Sequence, residues 1–345
     1  MEFRKLGKTD LSVSAICLGT MTFGEQNSED DGHRQMDYAI SQGINFFDTA
    51  EMYSVPGRQE TQGSTEKILG SWFEKNDRKN IILATKVTGP SAGLKYISPS
   101  LGFSRVRIND ALEGSLRRLK TDYIDIYQMH WPERKTNFFG QLGYRHQEDD
   151  QWQDNFEEAI TTMDDLIKSG KIRHWGLSNE TSWGLMRSVG ICDIKNHPRP
   201  ISIQNPYNLL NRSYEVGLAE ISIREKISLL VYSPMAFGLL SGKYHKNLDT
   251  PNDRINKFKQ LSRYNSKESF EATASYMKIA DEAGISLVKM ALAFVNNQPF
   301  VTSNIIGATN IHQLRENIDS INFKLTNDIL EAIDRVHQEI SNPAP

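Results

Sequence analysis

The chain contains only two cysteines, Cys17 and Cys192, among its 345 residues, and it has no long hydrophobic run. Two distant cysteines cannot build a disulfide framework or supply a zinc site by themselves, which favours a reducing compartment. No stretch of 18 apolar residues occurs, and the first residues are charged where a signal peptide would be apolar. We therefore expect a cytoplasmic protein that is neither secreted nor inserted in a membrane.

Neither sign of charge is in excess. Lys and Arg together number 40 and Asp and Glu 43, for a net charge of −3, so the basic surface that nucleic-acid binding requires is not expected. The eight histidines show no H-E-x-x-H spacing, and no G-x-x-x-x-G-K-[ST] motif occurs. These absences argue against a zinc protease and a P-loop protein, and no metal is expected.

Short runs rich in Ile, Val, Tyr and Phe alternate with longer amphipathic segments, which is typical of repeated βα units. Eight such runs occur, at 15–19, 44–49, 81–86, 123–130, 172–178, 201–205, 228–233 and 304–308. They predict a (β/α)8 TIM barrel that uses residues 1–345 as a single domain. A doubly wound open sheet is the alternative, but no G-x-G-x-x-G motif follows the first run.

Further segments extend this pattern. Residues 3–14 indicate a β-hairpin with Gly7 near its turn, which would cap the closed end of the barrel. Residues 131–154 and 241–266 are too long to be simple connections and are predicted to be functional loops. After residue 322, a Thr326 N-cap followed by apolar residues at helical spacing predicts an additional C-terminal helix.

Polar residues end three successive predicted strands. Asp48 ends the second, Lys86 the third and His130 the fourth, while Tyr53 follows Asp48 by five residues. Each residue alone has an ordinary structural explanation, such as a turn, a solvated strand end or a core histidine. In a barrel, however, the carboxyl ends of the strands converge on one site, so the four together predict an active site.

These four residues match the catalytic tetrad of the aldo-keto reductase superfamily, and the chain resembles that family over nearly its whole length. The segment HWPERKTNFFGQLGY, at 130–144, is similar to the bacterial Tas-type reductases within it. Other matching motifs lie at 19–24, 43–53, 121–131, 170–179, 203–212, 232–244 and 307–317.

The resemblance implies reduction of a small-molecule carbonyl substrate. Tyr53 would donate a proton to the developing alkoxide, and a charged Lys86 would make this tyrosine more acidic. Asp48 would keep Lys86 charged, and His130 would hydrogen-bond the carbonyl oxygen and orient it.

The resemblance also implies a nicotinamide cofactor, NADP(H). Tyr232 would stack on the nicotinamide ring, and Gly238 and Gly242 would let backbone N–H groups approach the pyrophosphate. Arg254 beside the ribose 2′-phosphate would favour NADP over NAD. The expected cofactor-binding residues are Gly19, Thr20, Asp48, Ser178, Asn179, Gln204, Tyr232, Ser233, Gly238, Gly242, Lys243, Arg254, Thr309, Gln313, Glu316 and Asn317.

The substrate pocket is less defined by the sequence. The expected lining is Phe23, Tyr53, His130 and Trp131, with Phe138, Phe139, Met52 and Tyr207 as further candidates. Aldehydes, ketones, quinones and sugars all remain open as substrates, and the sequence identifies no oligomeric partner.

Two other functions use the same residues. A Schiff-base aldolase would require Lys86 as a neutral nucleophile, which the nearby Asp48 opposes. An NADPH-binding, redox-sensing subunit resembling the potassium-channel β subunits would retain the cofactor site and turn over slowly.

Overall fold

The computed structural model, which describes residues 1–259 and 262–345, contains a closed barrel of eight parallel strands. Each barrel strand pairs with the next one along the chain, and the last pairs with the first. The predicted (β/α)8 barrel is confirmed, and the open-sheet alternative is wrong. A hairpin of β1 (Phe3–Lys5) and β2 (Ser12–Ser14) precedes the barrel strands β3 (Ile16–Gly19), β4 (Phe46–Asp48), β5 (Ile82–Val87), β6 (Ile124–Met129), β7 (Ile172–Ser178), β8 (Ser202–Pro206), β9 (Ser228–Tyr232) and β10 (Val301–Ile306).

Helices follow the barrel strands. They are α1 (Glu29–Ser41), α2 (Ser64–Phe73), α3 (Arg105–Leu119), α4 (Phe156–Lys168), α5 (Ser182–Lys195), α6 (Leu218–Glu225), α7 (Arg254–Lys257), α8 (Lys267–Glu282), α9 (Leu287–Asn296), α10 (Ile311–Asp319) and α11 (Asn327–Glu339). Several start at a Ser or Thr; Thr326, for example, accepts a hydrogen bond from the Ile329 amide. Such a cap satisfies one of the amides that a helix start leaves free. The predicted C-terminal helix and its N-cap are thus confirmed.

The hairpin closes one end of the barrel. Its residues Leu6, Leu11 and Val13 are buried in a cluster with Cys17 and Phe46 inside the barrel. A larger apolar cluster joins the outer faces of the strands to the helices. The hairpin thus leaves the end of the barrel that carries the carboxyl ends of the strands open, and polar side chains can form a site there.

The two long segments differ. Residues 131–154 contain no helix or strand. Residues 241–266 contain the short α7, and positions 260 and 261 within them lie outside the described residues. The structure also contains α8, a helix that the sequence pattern did not single out and that packs against α11. No helix in the described parts of the chain is long and apolar enough to cross a membrane.

The packing of α2 on α3 generates a stability prediction. A Cβ added at Gly70 would lie 2.1 Å from the carbonyl oxygen of Arg118, so Gly70→Ala must push the two helices apart. We expect it to lower the free energy of unfolding by about 1–3 kcal/mol, measured by urea denaturation. The control is Gly190→Ala in α5, where an added Cβ meets no atom within 4 Å; it should raise that free energy by up to about 1 kcal/mol. Equal destabilisation by both substitutions would contradict the prediction.

Candidate active site

The ends of β4, β5 and β6 bring Asp48, Lys86 and His130 together at the open end of the barrel. Lys86 is fully buried, and its Nζ donates hydrogen bonds to Asp48 Oδ2 at 2.7 Å and to the Thr49 carbonyl oxygen at 2.7 Å. The strands are neighbours in parallel pairing, which sets the ends that carry these residues side by side. The barrel thus holds an ion pair in a position from which water is excluded.

Tyr53 reaches this ion pair from the loop after β4. Its ring centroid lies 4.9 Å from Lys86 Nζ and 5.7 Å from the ring centroid of His130. Burial raises the pKa of Tyr53 above its ordinary value of 10.0, although the charge on Lys86 acts in the opposite direction. Lys86 acts in the expected direction, but the loss of phenolate hydration outweighs the nearby cation, so the net pKa is raised. Tyr53 is a protonated donor at neutral pH.

The neighbouring groups have defined charges. Burial opposes a charge on Lys86, but the Asp48 carboxylate more than offsets this effect and raises the pKa of Lys86. Lys86 is therefore a cation, not the free amine that a Schiff base requires. Burial and then the charge on Lys86 lower the pKa of His130 well below 6.5, so this imidazole is neutral. His130 Nδ1 is buried and finds no hydrogen-bond partner among the described residues.

Two glutamines hold the second oxygen of Asp48. Gln204 Nε2 donates to Asp48 Oδ1 at 2.8 Å, and Gln128 Nε2 approaches the same oxygen at 3.4 Å. Gln204 is thus engaged with the tetrad as well as lining the site. Gln128 was not identified from the sequence. The alternation of side chains along β6, which puts Ile126, Gln128 and His130 on one face, could have revealed it.

A second buried ion pair anchors the loop that carries Tyr53. Glu51 Oε2 accepts hydrogen bonds from the Arg107 guanidinium at 2.5 Å and from the Thr88 amide at 3.1 Å. The Glu51 amide donates to the carbonyl oxygen of Lys86 at 3.2 Å. These contacts join the loop to the end of β5 and to α3. Sequence reasoning missed Glu51, although it lies in the motif that contains Tyr53.

The residues expected near the nicotinamide form one network at the ends of β7, β8 and β9. Asn179 Nδ2 donates to the His130 carbonyl oxygen at 2.9 Å, and Asn179 Oδ1 accepts from the Tyr232 hydroxyl at 2.6 Å. Ser178 Oγ donates to the Gln204 carbonyl oxygen at 2.9 Å. Their mutual hydrogen bonds fix these side chains before any ligand arrives.

A cleft of about 1490 Å³ extends from the tetrad across the open end of the barrel. Sites for drug-sized ligands typically measure roughly 300–1,000 Å³, so this cleft has room for a dinucleotide and a substrate. Every residue expected to bind the cofactor lines it, namely Gly19, Thr20, Asp48, Ser178, Asn179, Gln204, Tyr232, Ser233, Gly238, Gly242, Lys243, Arg254, Thr309, Gln313, Glu316 and Asn317.

The loop after β9 combines a left-handed backbone with a lysine. Phe237, Gly238 and Gly242 have φ angles of 56°, 92° and 77°, a conformation that favours glycine. The amides of Gly238 and Gly242 donate to the carbonyl oxygens of Met235 at 2.8 Å and of Leu239 at 3.0 Å, and Lys243 pairs with Asp253. A phosphate bound at this loop would therefore compete with Asp253 for Lys243.

Arg254, unlike Lys243, has no carboxylate partner among the described residues. Its guanidinium lies 4.5 Å from the Phe237 ring centroid, and its Nη2 contacts Met21 Sδ at 3.7 Å. Burial lowers the pKa of Arg254 to about 10. Its Nε is buried without a hydrogen-bond partner, and no carboxylate of the described residues pairs with it. Since a partly buried cation without an anionic partner is costly, the site fits a phosphorylated dinucleotide.

An aromatic wall continues from His130. Ring centroids are 4.7 Å apart between His130 and Trp131, 5.7 Å between Trp131 and Phe139, and 5.1 Å between Phe138 and Phe139. Trp131 Nε1 donates to the Pro90 carbonyl oxygen at 3.0 Å, which fixes the indole. All five residues line the cleft.

The expectation that Phe23 lines the substrate pocket is wrong. Its side chain is fully buried in the core against α1, where a Cβ added at Gly32 would lie 3.0 Å from the ring. Tyr207 is also in the core, stacked on Phe294 with ring centroids 5.7 Å apart. Burial of these rings between barrel and helices removes more apolar surface from water than a place in the cleft would. Met52, by contrast, does line the cleft.

Comparison with known proteins agrees with the geometry. The sequence pattern of the Aldo/keto reductase family matches residues 15–338. The chain is 47% identical to "Protein tas" of Escherichia coli, with all of both chains covered. It is 33% identical to the "Uncharacterized oxidoreductase YrpG" of Bacillus subtilis, covering 97% of this chain and 96% of the relative.

A plant relative matches over a similar span. The "Probable voltage-gated potassium channel subunit beta" of Arabidopsis thaliana is 30% identical, covering 98% of this chain and 97% of the relative. The resemblance first inferred from the tetrad motifs is thus confirmed. On this fold and these matches, the chain belongs to the aldo/keto reductase family.

Proposed function

We propose that this protein reduces an aldehyde or ketone with NADPH and that Tyr53 donates the proton. The observation that carries the proposal is the fully buried Lys86–Asp48 pair, with Lys86 Nζ 4.9 Å from the Tyr53 ring centroid in the cleft. A fixed cation in a site that excludes water stabilises negative charge developing on a nearby oxygen. Family membership supports oxidoreductase chemistry.

When bound, the reduced nicotinamide supplies the hydride. Tyr232 would contact the nicotinamide ring, and Asn179 would face its carboxamide, since both line the cleft beside His130. Arg254 would pair with the 2′-phosphate, because it packs on Phe237 in the loop after β9 and its Nε is buried without a partner among the described residues. This pairing would favour NADP over NAD.

The side chains then divide the remaining work. A neutral His130 donates a ring N–H to the carbonyl oxygen and orients it. Tyr53, protonated at neutral pH, transfers its hydroxyl proton to the same oxygen as negative charge develops there. Lys86 stabilises the resulting phenolate, while Asp48 keeps Lys86 charged and in position.

A redox-sensing subunit is the second candidate, and the potassium-channel name of the Arabidopsis relative favours it. Such a protein would bind NADPH tightly and oxidise it slowly.

The first test replaces the proposed proton donor. Tyr53→Phe should retain NADPH binding and lose most of kcat against a panel of aldehydes, diketones and quinones. Turnover is measured as the loss of NADPH absorbance. The loss should be about 10²–10⁴-fold, the usual contribution of a general acid. Tyr144→Phe, at an exposed tyrosine, serves as the control and should leave kcat unchanged. Full activity of Tyr53→Phe would refute the proposal, while slow oxidation of tightly held NADPH by the wild type would favour the sensor.

The pH dependence follows from the directions of the pKa shifts. Reduction requires protonated Tyr53 and neutral His130. Because the pKa of Tyr53 is raised above 10.0, its hydroxyl stays protonated throughout the neutral range and beyond it. Because the pKa of His130 is lowered well below 6.5, its imidazole is still neutral at pH 6.5. Reductive kcat/KM should therefore be flat between about pH 6 and pH 9 and fall only at higher pH. An inflection near pH 6.5 would contradict these assignments.

The role proposed for Arg254 in binding the 2′-phosphate is tested by comparing NADPH with NADH. Arg254→Met should raise KM for NADPH by about 10–100-fold, the range expected for losing a charge-assisted hydrogen bond. KM for NADH should change little, because NADH lacks the 2′-phosphate. Steady-state kinetics with both cofactors give the comparison. Equal loss with both would show that Arg254 supports the loop and does not read the phosphate.

A further inference from the structure

The cleft contains a second arginine that the proposed reduction does not use. Arg263 lies in the long loop after β9, and its guanidinium carbon is 5.5 Å from the ring centroid of Phe139. Arg263 Nη1 donates to the Tyr232 hydroxyl at 3.3 Å. The side chain therefore connects the loop after β9 to the loop after β6 and forms part of the cleft wall.

This guanidinium is largely unused by the protein. It carries five N–H donors; Nη1 donates to the Tyr232 hydroxyl at 3.3 Å, and the Tyr264 side chain is a second hydrogen-bonding neighbour. The charged or polar neighbours that act on it are the tyrosines Tyr232 and Tyr264, and no carboxylate of the described residues is among them. Because Arg263 lines the cleft, donors that these tyrosines leave free can meet a ligand there. A half-buried guanidinium of this kind is well suited to a carboxylate, which it can bind through two parallel hydrogen bonds.

A chain of packed aromatic rings connects Arg263 to His130 at the proposed reaction site. Trp131 packs on His130, Phe139 packs on Trp131, and Arg263 packs on Phe139. Two aromatic rings therefore separate the guanidinium from the histidine that faces the carbonyl, in steps of 4.7, 5.7 and 5.5 Å, so the two groups are at most about 16 Å apart. Tyr232 approaches Arg263 from the cofactor side.

The space between these ends has apolar walls. Trp131 and Phe139 lie between the two ends, and the apolar residues Met52, Leu94 and Phe138 line the same cleft. A flat or extended apolar spacer would bury its surface there, while polar groups along it would lose water without finding partners.

From these contacts we propose that the substrate is a carboxylate-bearing aldehyde or ketone whose anionic end is bound by Arg263. The carbonyl lies at Tyr53 and His130, an apolar spacer lies along the aromatic wall, and the carboxylate meets the guanidinium. This inference rests on the proposed reductase function, because it deepens the substrate class of the same site. Arg263 is a specificity residue and takes no part in proton transfer.

The test compares two substrates that differ only in charge, 4-carboxybenzaldehyde and its methyl ester, methyl 4-formylbenzoate. The wild type should show a kcat/KM at least 10-fold higher for the acid, mainly through KM. Arg263→Met should abolish that preference while changing the kinetics of the ester less than about 3-fold, the scale of a near-neutral contact. Arg263→Lys should retain part of the preference, since it keeps the charge and loses the bidentate geometry.

The chain offers a matched control. Arg315 Nε donates to the Tyr38 hydroxyl at 3.3 Å, and its guanidinium lies 5.8 Å from that ring, outside the cleft. Arg315→Met removes similar contacts and should leave the preference unchanged. If Arg263→Met impairs acid and ester equally, Arg263 only supports Tyr232 and Phe139, and the inference is wrong. If it weakens NADPH binding and leaves the preference intact, the guanidinium serves the cofactor, and the inference is again wrong.

A binding measurement separates this inference from the reductase proposal. Calorimetric titration of the NADP-loaded protein with 4-(hydroxymethyl)benzoate and with its methyl ester requires no turnover. Tighter binding of the anion that disappears in Arg263→Met supports the site even if no aldehyde is reduced, an outcome that would refute the reductase proposal alone. Equal affinity for acid and ester in the wild type would overturn the Arg263 site.

Discussion

The buried ion pair between Lys86 and Asp48 is the constraint on which the active site depends. Removing two charges from water is costly, and their attraction compensates only if the remaining lone pairs and protons also find partners. Here the Thr49 carbonyl shares the ammonium, and Gln204 binds the second carboxylate oxygen. These partners come from different strands, so the pair requires a closed barrel. The charge next to Tyr53 follows directly from this arrangement.

Further buried ion pairs attach the functional loops to the barrel. Glu51 and Arg107 hold the loop that carries Tyr53. Arg134, in the long loop after β6, pairs with Glu180 just after β7, with Nη1 to Oε2 at 3.0 Å. Breaking either pair would leave a buried charge without a partner, which is more costly than losing a surface contact. The loops can therefore be long and still present their side chains in fixed positions.

The cleft has a cation toward each of its two proposed ligands. Arg254 lies near the glycine-rich loop proposed to hold the cofactor, and Arg263 lies at the end of the aromatic wall that begins at His130. Tyr232 lies between the two regions, hydrogen-bonded to Arg263 and to the network around His130. The proposed cofactor and substrate would thus each be recognised by a cation at the outer end of the cleft, and by apolar contacts in its middle.

The sequence by itself determined the barrel and the meeting of Asp48 and Lys86, because side-chain periodicity defines the strands and parallel strands of a barrel end at one face. It also indicated Tyr53, through its spacing from Asp48. Only the tertiary structure decided the direction of the Tyr53 pKa, the burial of Phe23 and the open donors of Arg263. The physical reason is that hydration and pairing depend on the atoms that surround a side chain. Those atoms come from residues far apart in the chain, whereas periodicity is a local property.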